Sequence, residues 1–200
     1  MSSNGLFDDA ANGNNGSTSI KVIVRVRPLS DREKSCGSSE CVRVQGTDTV
    51  VLGSKDGKGF SFDFVADTAT SQSKVFELTG RPVVDACISG YNATIFAYGQ
   101  TGSGKTFTMS GSGDAWGSSN ELRGLIPRVM EHMFERIAAA KASDSTLECA
   151  VRASYLEVYN ETLADLLDAS GGQVGVGGVR CTFAASRKSV LMLTLTRSPL

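Results

Sequence analysis

Apolar positions fall in short runs with two different spacings. Ile20 to Val26 alternates and is β-branched, so it predicts a strand that Pro28 ends, because proline cannot donate to a ladder. Val42 to Gln45, Val50 to Leu52 and Phe60 to Phe64 predict three more short strands separated by Gly and Asp turns, a hairpin or meander leading back to a main sheet. Phe60, Phe62 and Phe64 sit two apart and are expected on one core-packed face. From Ser71 the spacing turns helical through Val75, Phe76, Leu78, Val83, Val84 and Cys87, with a break expected at Gly80-Arg-Pro82. Ala93 to Tyr98 is again strand-like. Leu125 to Ile137 predicts an amphipathic helix with Ile126, Val129, Met130, Met133, Phe134 and Ile137 on one stripe and His132 off it, a surface residue without a role. Leu147 to Val158 predicts a long strand, Thr162 to Leu167 a helical piece, and the alternating run 190–196 a further strand that is also an aggregation hazard.

Composition narrows the class. With 200 residues, 40% of them hydrophobic, the chain can bury one sizeable core. The net charge of -1 comes from acidic and basic residues mixed along the chain, which gives no overall attraction to nucleic acid or an anionic membrane. Five cysteines without a Cys-x-x-Cys spacing indicate neither a disulfide framework nor a zinc site, and fit a reducing, cytosolic setting. No run approaches the ~20 apolar residues that cross a bilayer, and the N-terminus lacks the apolar core of a signal peptide. Residues 1–18, rich in Ser, Asn and Gly, are expected to be a disordered leader.

The chemistry concentrates between Tyr98 and Met109. Gly99-Gln100-Thr101-Gly102-Ser103-Gly104-Lys105-Thr106 matches the phosphate-cradling spacing Gly-x-x-x-x-Gly-Lys-Thr. Its glycines let successive N–H groups face one anion, and the helix expected from Gly104 adds its positive end. Lys105 supplies a mobile charge for the outer phosphates and Thr106 a hydroxyl for a magnesium ion. The order of strand, loop and helix is what separates this stretch from a chance glycine-rich turn. Other candidates carry less. Arg25, Arg27 and Pro28 fit either a solvated strand end or a flank for a planar base. Trp116 either serves a functional loop or pins it, and Glu157 and Glu161 read as solvated positions at a sheet edge. Asp168-Ala-Ser-Gly171 matches an Asp-x-x-Gly turn that senses a γ-phosphate only superficially, since the residues before it look helical.

Taken together, Ile20-Lys-Val-Ile-Val-Arg-Val-Arg-Pro-Leu29, Phe62-Asp-Phe64, the stretch from Gly90 to Met109, Gly124-Leu-Ile-Pro127, Ser154-Tyr-Leu-Glu-Val-Tyr-Asn-Glu161 and Asp165-Leu-Leu167 resemble the kinesin motor domain, over about 150 residues and in kinesin order. The resemblance implies an α/β phosphate-loop NTPase fold, a central mostly β sheet with helices on both faces. It implies ATP with Mg2+, a microtubule (tubulin) partner, a microtubule-associated place in the cytoplasm, and leaves open whether the intact protein is a homodimer. By the same resemblance, Gly99 to Thr106 hold the phosphates, Thr106 the metal, and Arg25, Arg27, Pro28 and Phe107 line the adenine. Position 107 is often histidine in similar proteins, and Phe107 keeps the stacking face while losing the polar edge.

The resemblance assigns residues 19–168 to the N-terminal part of such a domain. Residues 169–200 are expected to be a non-native or disordered tail of a truncated or frame-shifted chain. The Asn-x-x-Ser-Ser-Arg-Ser-His and Asp-Leu-Ala-Gly-Ser-Glu segments, which in similar proteins sense the γ-phosphate and position water, do not occur. No catalytic residue is therefore assigned, and ATP hydrolysis coupled to movement is expected of the intact protein. The chain itself is expected to be inactive or to act as a nucleotide-binding or microtubule-docking module without turnover. An unrelated phosphate-loop GTPase or small-molecule kinase is disfavoured, because no Asn-Lys-x-Asp segment occurs and the loop lies about a hundred residues into the chain, whereas such domains usually begin with it.

Overall fold

The computed structural model describes residues 20–53, 57–112, 120–167 and 188–197. The expectations for residues 1–18, Trp116 and Asp168 to Gly171 lie outside these. The chain divides into two compact units, residues 1–135 and 136–200.

In the first unit, β1 (Ile23–Arg25) pairs in parallel with β5 (Phe64–Ala66), so Arg25 lies opposite Ala66 at the ends of both strands. Ser30 starts a short helix, α1 (Asp31–Ser35), by accepting from the Glu33 N–H, while Glu33 reaches back to the Ser30 N–H. This reciprocal capping box stabilises a helix too short to persist alone. β2 (Val42–Gln45), β3 (Thr49–Leu52) and β4 (Lys58–Ser61) form an antiparallel meander, as their spacing predicts, with Val50 and Val51 buried.

The expected strand 60–64 is two strands in two sheets. At Phe62 and Asp63 the chain leaves the meander, where Asp63 Oδ2 accepts from the Val22 N–H at 2.7 Å, and re-enters as β5 beside β1. Phe60 and Phe64 therefore share no face. Phe60 is partly exposed beneath the Lys58 ammonium, whereas Phe64 packs on the core.

α2 (Gln72–Ile88) is one helix, not the broken pair its Gly80 and Pro82 suggested. Gln72, Phe76, Gly80 and Val84 are all buried and lie four residues apart, so one stripe runs the full length and burial outweighs the lost proline bond. Gly80 sits where a Cβ would meet Phe76 Cδ2 at 2.6 Å and Val129 Cγ2 at 3.0 Å, so it is a packing contact and not a break. Phe76 joins Ala66, Val75 and Leu125 in the core, with Phe64, Ile95, Met109 and Val129 packed around them.

Ala93 to Tyr98 belongs to no ladder among the described residues. Its β-branched and aromatic residues suit a pleated, half-buried surface, but a strand also needs a hydrogen-bonding neighbour. Ile95 packs on the core, while Phe96 and Tyr98 are 69% and 83% exposed and stack on each other at 6.5 Å. α3 (Lys105–Met109) follows the glycine loop, and α4 (Leu125–Ser143) carries the predicted amphipathic pattern.

Two positions on α4 depart from expectation. Phe134 is 51% exposed, and His132, expected at the surface, is buried. His132 faces α2, with Nε2 3.2 Å from Asp85 Oδ1 and its ring edge-on to Phe76. A carboxylate only accepts, so Nε2 carries the proton and Nδ1 accepts from Arg81 Nη1 at 3.5 Å. Glu77 ion-pairs with Arg81 at 2.6 Å, which holds the Glu77 carboxyl below its usual range and the guanidinium above its own.

In the second unit, β6 (Cys149–Tyr159) is the middle strand of an antiparallel sheet, flanked by β7 (Thr162–Asp165) and β8 (Lys188–Arg197). The helical piece expected at 162–167 is thus a strand. Asn160 and Glu161 have φ of 51° and 62°, the pair of left-handed residues that turns a tight hairpin and folds Thr162 back onto Tyr159. β8 contains the alternating run 190–196.

Candidate functional site: a nucleotide cleft beside the phosphate loop

A cleft of about 590 Å³ opens where β1 and β5 end, the edge at which parallel strands of α/β proteins present their ligands. Arg25, Arg27 and Pro28 line it from the end of β1, Ser103, Gly104, Phe107 and Thr108 from the loop and α3, and Gln72 from the start of α2. The structure thus brings all four residues proposed for the base to one cleft, which the last residues of the glycine loop also line.

Arg25 is half-buried at the cleft, and burial pushes its guanidinium pKa down. Its Nη1 donates to Gln72 Oε1 at 2.8 Å and to Thr108 Oγ1 at 3.0 Å, and its Cζ stands 5.2 Å from the Phe107 ring centre. A guanidinium in this place is held by a cation–π contact as well as by hydrogen bonds. Arg27 makes a fork to Glu33, with Nη1 and Nη2 each 2.7 Å from a carboxylate oxygen. Those bonds and the Ser30 N–H hold the Glu33 carboxyl far below the usual carboxylate range. The signal for this support was in the sequence as Ser30-Asp-Arg-Glu33, an N-capping pattern that the hydrophobic spacing does not reveal. Gln72, buried to 4% exposure, is the other supporting residue that sequence reasoning missed, and no local pattern marks it.

Three glycines of the loop stand where a side chain would be strained or crowded. Gly102 and Gly104 have φ of 79° and 98°, a region that side chains disfavour, and a Cβ on Gly99 would meet Ser103 Oγ at 2.5 Å. Lys105 Nζ donates to the carbonyls of Gly99 and Gln100 at 2.8 and 2.9 Å, so its ammonium lies over the loop. Thr106 is exposed on the first turn of α3, and Gln100, Thr101 and Gly102 are exposed along the loop. Positively charged lysine, open backbone and a free-standing hydroxyl position fit a magnesium-bound polyphosphate. Gly124 locks the next segment against α3, since a Cβ there would meet Met109 O at 2.5 Å, and this brings Glu121 and Leu122 to the cleft. Among the described residues no group of His, Cys, Asp and Glu is placed to hold a metal by itself.

The glycine loop, the helix after it and the cleft at the ends of β1 and β5 mark an α/β nucleotide-binding protein, although the strand expected ahead of the loop, Ala93 to Tyr98, pairs with nothing among the described residues. Comparison with known proteins makes the family specific. The kinesin motor domain family matches residues 25–193. The chain is 45% identical over 156 residues to the kinesin-like protein KIN-12B of Oryza sativa subsp. japonica, covering 74% of this chain and 14% of that protein. It is 43% identical over 162 residues to the kinesin-like protein KIF15 of Homo sapiens, covering 78% of this chain and 12% of that one. A solved structure of a fast kinesin, described for its ATPase mechanism and interactions with microtubules, superposes with a TM-score of 0.72 at 37% identity over 87% of this chain and 48% of that chain. The chain belongs to the kinesin motor domain family, and its fold is the phosphate-loop α/β fold of that family. It spans about an eighth of the length of the curated relatives it matches.

Proposed function

We propose that this chain is the ATP-holding part of a microtubule motor ATPase, with Gly99, Gln100, Thr101, Gly102, Ser103, Gly104, Lys105 and Thr106 on the phosphates, Thr106 on Mg2+, and Arg25, Arg27, Pro28 and Phe107 around the adenine. The observation that carries the reading is the juxtaposition of a glycine loop, with Lys105 folded over it, and a cleft walled by those four residues. The chain's own groups bind and orient. Backbone N–H groups and Lys105 balance phosphate charge, and Phe107 with Pro28 offers apolar surface to a base while Arg25 and Arg27 border it. Magnesium, when bound, supplies charge neutralisation between phosphate oxygens.

Hydrolysis coupled to movement along microtubules is the activity this reading gives the intact protein, in the cytoplasm on the microtubule cytoskeleton. Within this chain, residues 19–168 carry the binding function, and residues 169–200 are proposed to add nothing to it. The test is calorimetric binding of ATP with and without Mg2+, alongside phosphate release with and without microtubules. Magnesium-dependent affinity without release supports a holding module, release supports a complete catalytic unit, and absence of ATP affinity in folded protein rejects the site.

A further inference from the structure

Gln72 is the first residue of α2, and its carboxamide is buried between three elements. Its Oε1 accepts from Arg25 Nη1 of β1 at 2.8 Å, and its Nε2 donates to the Phe107 carbonyl of α3 at 2.7 Å. One planar amide therefore ties the two residues whose side chains form the Arg25–Phe107 pair, 5.2 Å apart. Thr108 Oγ1 accepts from the same Arg25 Nη1 at 3.0 Å, so the guanidinium is held by oxygens from two directions. Ser71 fixes the amide's own backbone by capping α2, its Oγ accepting from the Lys74 N–H at 3.1 Å.

We infer that Gln72 is a positioning residue for the nucleobase: it sets the separation and tilt of Arg25 and Phe107 and thereby the width of the base-binding wall. The inference rests on the proposed base site but adds a residue that acts through Arg25 and Phe107. The carboxamide suits the task because one rigid planar group offers both an acceptor to the guanidinium and a donor to the backbone carbonyl. A carboxylate in its place keeps the first bond and loses the second. A methionine keeps the volume and loses both, leaving a half-buried guanidinium short of an acceptor.

The experiment compares ATP and inorganic tripolyphosphate, each with Mg2+, on the full chain by calorimetry, with thermal unfolding as the check on folding. Tripolyphosphate uses the loop alone. Gln72→Met is expected to weaken ATP about tenfold and to leave tripolyphosphate within about twofold, and Gln72→Glu, which keeps the acceptor for Arg25 but turns a second oxygen toward the Phe107 carbonyl, is expected to weaken ATP by a similar factor while sparing tripolyphosphate. Equal loss of both ligands in Gln72→Met overturns the inference, because the residue then supports the whole site. Unchanged ATP affinity in Gln72→Met overturns it too. Should the methionine variant fail to fold, Gln72→Glu decides alone: unchanged ATP affinity, or an equal loss of both ligands, overturns the inference. A folded wild type that binds tripolyphosphate no more weakly than ATP overturns the base site and the inference with it, whereas a wild type that binds neither overturns the phosphate site as well.

Discussion

Arg27 and Glu33 meet fork to fork, two nitrogens on two oxygens at 2.7 Å each, and the same carboxylate caps the helix on which it stands. A residue that lines the cleft is thus fixed by a helix of one turn. Glu33→Gln is expected to weaken ATP binding while sparing tripolyphosphate, since Arg27 loses its anionic partner and regains its rotamers. Calorimetry with both ligands checks this.

The same pair sets a dependence on pH. The folded Glu33 carboxyl titrates below its unfolded value, chiefly because Arg27 donates to it. Its stabilisation is therefore fully present above the unfolded value of about 4.3 and is lost as pH falls toward the folded value. Asp67 and Glu77 are shifted the same way, by the Thr70 hydroxyl and by Arg81. Thermal midpoints of wild type and Glu33→Gln should differ at pH 6 and converge as pH falls below about 4.

Lys105→Ala tests the loop. A unit charge about 4 Å from a phosphate oxygen is worth about 4 kcal/mol near a protein surface. Part of this replaces the two bonds that Lys105 makes to Gly99 and Gln100. The expected loss of affinity is roughly a hundredfold to a thousandfold, for ATP and tripolyphosphate alike, measured by calorimetry.

Gly80→Ala sets two effects against each other. Alanine favours a helix interior by about 1 kcal/mol, but here its Cβ would lie 2.6 Å from Phe76 Cδ2 and 3.0 Å from Val129 Cγ2. Overpacking of this kind costs about 1–3 kcal/mol and the neighbours are core residues, so the net change is destabilising by about 1 kcal/mol. Urea unfolding gives the sign.

His132→Ala removes a buried ring that bonds Asp85 and packs on Phe76. A loss of about 2 kcal/mol is expected, because a cavity forms while Asp85, 43% exposed, recovers water. Urea unfolding measures this loss directly.

What was legible in the sequence followed from local rules. The glycine loop, the meander strands and the stripe of α4 are each written in spacing or residue type within a few positions. The misreadings came where distant residues decide. Pro82 reads as a break by the local rule, which counts one missing hydrogen bond and not the buried stripe from Gln72 to Val84. His132 looked like surface because its partners, Asp85 and Arg81, stand about fifty residues away. Ala93 to Tyr98 looked like a strand because its side chains suit one, while pairing belongs to neighbours. Within the candidate site, Arg25 had two open readings between which the family likeness chose, Phe107 came from that likeness alone, and Gln72 became visible only when three elements met.

The bare run from Ala93 to Tyr98 has a consequence for handling the protein. A protease that cuts after aromatic residues binds its target as an extended strand and needs both backbone and ring within reach. Phe96 and Tyr98 offer both, a few residues ahead of Gly99. A first nick there would break the covalent link between α2 and the lysine-bearing loop, leaving Phe107 on the loop's side and Arg25, Arg27 and Pro28 on the other, so a brief chymotryptic digest is expected to weaken nucleotide retention before it dismantles the rest of the chain.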